Sequence, residues 1–176
     1  MCIRDRSINT SAAEDTSQKG MGATLALAWF TPENLYFTNV GDSRIYLHRN
    51  GETRMLTTDH TFAWKKLQRG EISERQYREH PRRSVLYQVV GSGKNQVKPT
   101  TSTLHYQPGD RFLICSDGLI DGLWEKHIHS SFIRITENQC STTDLTSSLM
   151  SRAMSNDGSD DTTLITLAVR TNEQND

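Results

Sequence analysis

Two acidic motifs sit at the ends of apolar runs. Cys115-Ser116-Asp117-Gly118-Leu119 follows the run Arg111 to Cys115, and Gly158-Ser159-Asp160-Asp161-Thr162 precedes the run Thr163 to Val169. Carboxylates at the ends of core strands suit hard divalent cations, because the strand fixes the ligand and a short loop leaves room for water. Asp117 and Asp160 are therefore the first candidate metal ligands.

Other residues are weaker singly. Gly41-Asp42-Ser43 reads as a turn between antiparallel strands. Asp59-His60-Thr61 reads equally as a helix N-terminal cap or a functional segment. His80-Pro81 reads as a helix stop. The acidic stretch Asn156 to Asp161 invites a calcium loop, but Gly158 at the sixth position puts Ala153 at the first, where an acidic ligand is needed.

These residues need strands and tight turns to position them. Ala23 to Phe30 and Leu35 to Val40 read as a hairpin across Thr31-Pro32-Glu33-Asn34. Arg44 to His48 follows Gly41-Asp42, and Asn50-Gly51 turns it back into Glu52 to Leu56. Phe62 to Arg69 and Ser73 to Glu79 read as short helices, the second capped by Ser73 with Gln76. Gln96 to His105 and Arg111 to Cys115 read as strands, Leu119 to Ser130 and Thr143 to Met154 as helices, and Thr162 to Arg170 as the last strand. Strands and helices come in blocks, which favours α+β.

The 176 residues suit one domain, with 34% apolar residues and a net charge of −1. That balance gives no sign of nucleic-acid or membrane attraction. No run approaches the roughly 18 apolar residues of a membrane span, and the polar N-terminus carries no secretory signal. Three cysteines, Cys2, Cys115 and Cys140, fit no zinc or redox spacing. The chain reads as a reduced, cytoplasmic protein.

Taken in order, the motifs form a series. Gly20-Met21-Gly22-Ala23-Thr24, Val40 to Arg44, Leu56 to Thr61, His80 to Arg83, Leu86 to Gly91, Pro108-Gly109-Asp110, Cys115 to Leu119 and Asp160 to Thr163 together resemble the protein phosphatase 2C family, bacterial type, over roughly residues 20–170. The resemblance implies a four-layer α-β-β-α sandwich of two packed antiparallel sheets with helices outside. It implies a binuclear Mn2+ or Mg2+ centre, in some members with a third ion. It implies attack of a metal-activated water on phosphoserine or phosphothreonine in proteins, with a serine/threonine kinase as a possible cognate partner and a monomer at full length. By the same resemblance Asp117 and Asp160 are ligands of one metal, and Asp59 joins the Asp117 position in holding the third ion. Asp161 stands where the family has asparagine. Ser84 and Gln88 stand where it more often has asparagine and arginine.

The family's phosphate-gripping arginine, its Asn-Glu-Asp motif and its Asp-Gly-x-Gly-Gly loop have no match here. Gly20 is preceded by Lys19, not aspartate. The expectation is a domain lacking its N-terminal part. Residues 1–19 would be disordered or non-native, with Met1 to Arg6 reading as translated adapter; 20–170 would be the C-terminal portion of the phosphatase domain; and 171–176 a polar tail. Such a fragment is expected to be inactive alone. The competing reading is a non-catalytic phosphatase-like pseudoenzyme or interaction module.

Overall fold

The computed structural model describes residues 3–91, 97–137 and 141–171. Of the expected adapter Met1 to Arg6, only Met1 and Cys2 lie outside the described residues, as do Gln96 at the start of one expected strand, Cys140 and most of the polar tail. In order the elements are α1 (Ile3–Glu14), a short 3-10 turn, β1 (Leu25–Phe30), β2 (Asn34–Val40), β3 (Arg44–Arg49), β4 (Glu52–Met55), α2 (Phe62–Gln68), α3 (Glu74–Arg78), β5 (Thr100–His105), β6 (Arg111–Cys115), α4 (Asp117–Gly122), α5 (Glu125–Glu137), α6 (Thr142–Asn156) and β7 (Leu164–Ala168). One sheet has the order β1-β2-β5, the other β4-β3-β6-β7. Both are antiparallel, the expected class.

The chain clusters as two compact units. The first comprises Met1–Leu27, Phe37–Ser43 and Thr58–Ser102; the second comprises Ala28–Tyr36, Arg44–Thr57 and Thr103–Asp176. In the second unit β6 is central. It pairs Ile45 with Ile114 on one side and Ile114 with Ile165 on the other. Its alternation sends Leu113 and Cys115 into a core with Leu119, Ile128, Phe132, Leu145 and Leu149 from the helices. Phe112 points the other way, edge-on to Phe30 with centroids 5.3 Å apart. In the first unit Val40, Val90 and Val97 form a small core against Ile8 of α1.

Three expectations are corrected. Residues 1–19 contain a helix, α1. Its sequence has no Gly or Pro to break it, and the Gly91 N–H donates to buried Asp5 at 2.8 Å, a contact far away in sequence. The helix expected over Leu119 to Ser130 is two helices, because the backbone is extended at Leu123 (φ −131°, ψ 133°). The strand expected from Gln96 starts at Thr100.

The Asn50-Gly51 turn takes the mirror-type geometry the dipeptide favours, with φ of 52° and 79°. Ser73 and Gln76 form the expected reciprocal cap.

Candidate metal centre

Strand β6 ends at Cys115 and delivers Ser116 and Asp117 to the start of α4. Ser116 has N-cap backbone angles, yet its hydroxyl does not cap the helix. It turns to the chain before β7. The Thr163 N–H donates to Ser116 Oγ at 3.0 Å, and that hydroxyl lies 3.3 Å from the Asp161 carbonyl it can donate to. The Ser116 N–H also donates to the Thr163 carbonyl at 3.0 Å. One serine thus ties the loop carrying Asp117 to the loop carrying Asp160.

Glycine makes the approach possible. A Cβ on Gly118 would lie 2.7 Å from the Asp161 carbonyl oxygen. One turn on, a Cβ on Gly122 would lie 2.5 Å from the Ala153 carbonyl oxygen of α6. The Gly118 and Gly122 face of α4 is cut flat against its neighbours.

The electrostatics follow from this packing. Asp117 is half-buried and Asp160 exposed. Burial raises the Asp117 pKa, and the charges of Asp160 and then Asp121 push it further the same way. Burial is the larger cause and repulsion the smaller. The Gly118 N–H donates to Asp117 Oδ1 at 3.1 Å, and the Asp161 N–H to Asp160 Oδ1 at 2.8 Å. Asp121 is the acidic neighbour that the sequence reading left out. Its i+4 position on a helix starting at Asp117 was the available signal.

Asp59 belongs to the first unit. It is 1% exposed, and the Tyr77 hydroxyl donates to its Oδ2 at 3.1 Å. Next to it His60 is bonded at both ring nitrogens. Nδ1 accepts the Gly41 N–H at 3.2 Å, which leaves Nε2 as the nitrogen facing Thr100 Oγ1 at 2.9 Å. Burial lowers the His60 pKa. Thr61 caps α2.

A hard cation fits the oxygen chemistry of Asp117 and Asp160, and its charge would relieve the repulsion between them. Among the described residues no group of three or more His, Cys, Asp or Glu could hold an ion. Any ion here would need further ligands, water included.

A sequence model described as Protein phosphatase 2C matches residues 2–155. That span takes in α1, which the sequence reading set outside the family, and Asp59 and Asp117, but stops before Asp160. The serine/threonine protein phosphatase PstP of Mycobacterium tuberculosis is 36% identical over 110 residues, 62% of this chain and 21% of that protein. The serine/threonine phosphatase stp of Listeria monocytogenes is 38% identical over 108 residues, 61% of this chain and 42% of that protein. The chain thus matches less than half the length of these curated relatives. A crystal structure of the PstP catalytic domain, in complex with two manganese ions, superposes with a TM-score of 0.81 at 27% identity, covering 95% of this chain and 67% of that one.

Proposed function

The chain belongs to the protein phosphatase 2C family, and from that premise we propose that it carries part of the site of a phosphatase that hydrolyses phosphoserine and phosphothreonine in proteins with the help of Mn2+ or Mg2+, and that these residues alone turn substrate over weakly or not at all. Asp117 and Asp160 would hold one cation, and Asp59 is proposed as a ligand of a further one. When bound, such ions lower the pKa of a coordinated water and neutralise charge on phosphoryl oxygens. Ser116 has the positioning role, since its hydroxyl and N–H fix the spacing of the two acidic loops. What supports the reading is that Ser116 ties the loop carrying Asp117 to the loop carrying Asp160, with the Asp117 pKa raised by burial and then by the Asp160 charge.

Phosphoproteins, a cognate kinase and a monomeric state belong to the same proposal. So does a cytoplasmic location; no described helix is long and apolar enough to cross a membrane. A second reading, phosphoprotein binding without turnover, is favoured by the absence of a three-ligand group among the described residues. For these 176 residues alone the two readings converge on weak metal binding and little turnover.

The test is hydrolysis of a phosphothreonine peptide with added manganese. Little or no turnover by this chain is expected. Robust turnover lost in Asp117→Ala would show a more complete site than the one proposed. Turnover unchanged in Asp117→Ala would contradict the assignment of Asp117.

A further inference from the structure

At the other end of β3 from the acidic loops lies a buried titratable cluster that phosphate chemistry does not use. His48 is 2% exposed. On the sheet it is paired with Thr53 of β4 and Arg111 of β6. Its ring stacks flat on Phe132 of α5, with centroids 5.0 Å apart and planes 3° from parallel. His129, three residues earlier on α5, lies 6.3 Å away ring to ring.

The two histidines share one hydroxyl. His48 Nδ1 is 2.8 Å from Thr53 Oγ1, and His129 Nδ1 is 3.1 Å from the same oxygen. A threonine hydroxyl can donate to one imidazole and accept from the other. That satisfies both nitrogens while both rings are neutral. If both rings are protonated, two N–H groups aim at one oxygen and the hydroxyl proton loses its acceptor. The second nitrogen of His48, Nε2, is buried without a hydrogen-bond partner. An imidazolium there would have an N–H with nowhere to go.

The surrounding charges add to the effect. From β6 comes Arg111 and from α5 His129, while β4 places the neutral Thr53 opposite His48. Burial lowers the His48 pKa, and His129 and Arg111 push it the same way.

We propose that His48, Thr53 and His129 form an acid-sensitive latch, which seats α5 on the four-stranded sheet while His48 is neutral and loosens it when His48 takes a proton. The seat matters beyond itself. α5 supplies Ile128, Phe132 and Ile135 to the core that also holds Cys115 and Leu119, the residues flanking the Asp117 turn.

The sign follows from linkage. The native state holds His48 neutral while the unfolded chain takes a proton near the ordinary histidine value of about 6.5. Stability is therefore full above that pH and is lost as the pH falls below it, by up to tenfold in the folding constant per pH unit.

The experiment uses the full chain. Imidazole carbon–proton NMR signals are followed from about pH 8 to about pH 5, and urea unfolding is measured over the same range in the wild type and in His48→Phe. The latch predicts that His48 titrates below the ordinary value, that α5 amides lose exchange protection with it, and that His48→Phe flattens the acid slope by about one proton. A His48 midpoint at or above the ordinary value, or equal slopes in the two proteins, overturns it. If His48→Phe does not fold, the wild-type titration decides, together with His129→Gln. That change should raise the His48 midpoint by removing a neighbouring positive charge; an unchanged midpoint counts against the shared-hydroxyl arrangement.

Discussion

Strand β6 carries an aspartate at each end, and the two live in opposite surroundings. Asp110, just before the strand, is 1% exposed. Arg49 grips it with two bonds, Nε to Oδ1 at 2.7 Å and Nη2 to Oδ2 at 2.6 Å, and the Gln107 N–H donates to Oδ2 at 2.9 Å. Asp117, just past the strand, meets Asp160 and Asp121 instead of a cation. Both aspartates lie in motifs of the family series. One closes a turn, and the other sits half-buried beside like charges that raise its pKa further. The contrast separates an architectural carboxylate from the one proposed to hold a cation, which motif membership alone does not do.

The largest effect should come from breaking the satisfied end. Asp110→Ala leaves the Arg49 guanidinium and the Gln107 N–H without their acceptor. Because Arg49 is partly exposed, the expected cost is about 3 kcal/mol, toward the lower end for a broken pair. Urea unfolding without metal reads it, and a loss under about 1 kcal/mol would remove the architectural assignment.

Next is Gly118→Ala. The added methyl would press on the Asp161 carbonyl at 2.7 Å. Helix propensity returns part of the cost, so a net loss of roughly 1–2 kcal/mol is expected. Metal affinity should fall as well, because the methyl pushes the two acidic loops apart. A change in stability with unaltered manganese binding would show that loop spacing is not what sets the site.

Asp117→Asn should have the opposite sign. With no metal present it removes a repelled, half-buried charge, so the protein should gain stability near neutral pH, by under about 1 kcal/mol once solvent screening is counted. The pH dependence sharpens this. Because the native Asp117 pKa is raised, its destabilising effect is full above that value and is relieved as the pH falls through it. The gain from Asp117→Asn should therefore shrink toward acid, whereas the loss expected at His48 grows toward acid. A variant less stable than the wild type at neutral pH without metal would contradict the repulsion.

Much of this was legible in the sequence where the determinants are local. The Asn50-Gly51 turn, the Ser73 and Gln76 cap, and strands β2, β3 and β6 fall within a residue or two of the expected positions. The motif series was also legible, and much of it is close packing. A Cβ on Gly41 would lie 2.4 Å from Thr24 Cγ2, and one on Gly22 would lie 2.5 Å from Val89 Cγ1. Those contacts explain why Gly20 to Thr24, the Gly41 turn and Leu86 to Gly91 occur together.

What the sequence hid depends on distant partners. The Arg49 to Asp110 pair spans 61 residues. The His48 cluster needs β3, β4, β6 and α5 assembled. α1 has few apolar residues and shows as a helix only through Asp5 and Ile8 meeting Gly91 and the valine core. Asp121 was within reach, had the helix been started at Asp117.

The most direct measurement of the central claim is calorimetric titration of manganese into the purified chain, alongside Asp117→Asn, Asp160→Asn and Asp121→Asn. A weak site is expected that is abolished by either of the first two changes and weakened less by the third. Binding that survives both Asp117→Asn and Asp160→Asn, or no binding by the wild type under conditions where it is folded, would contradict it.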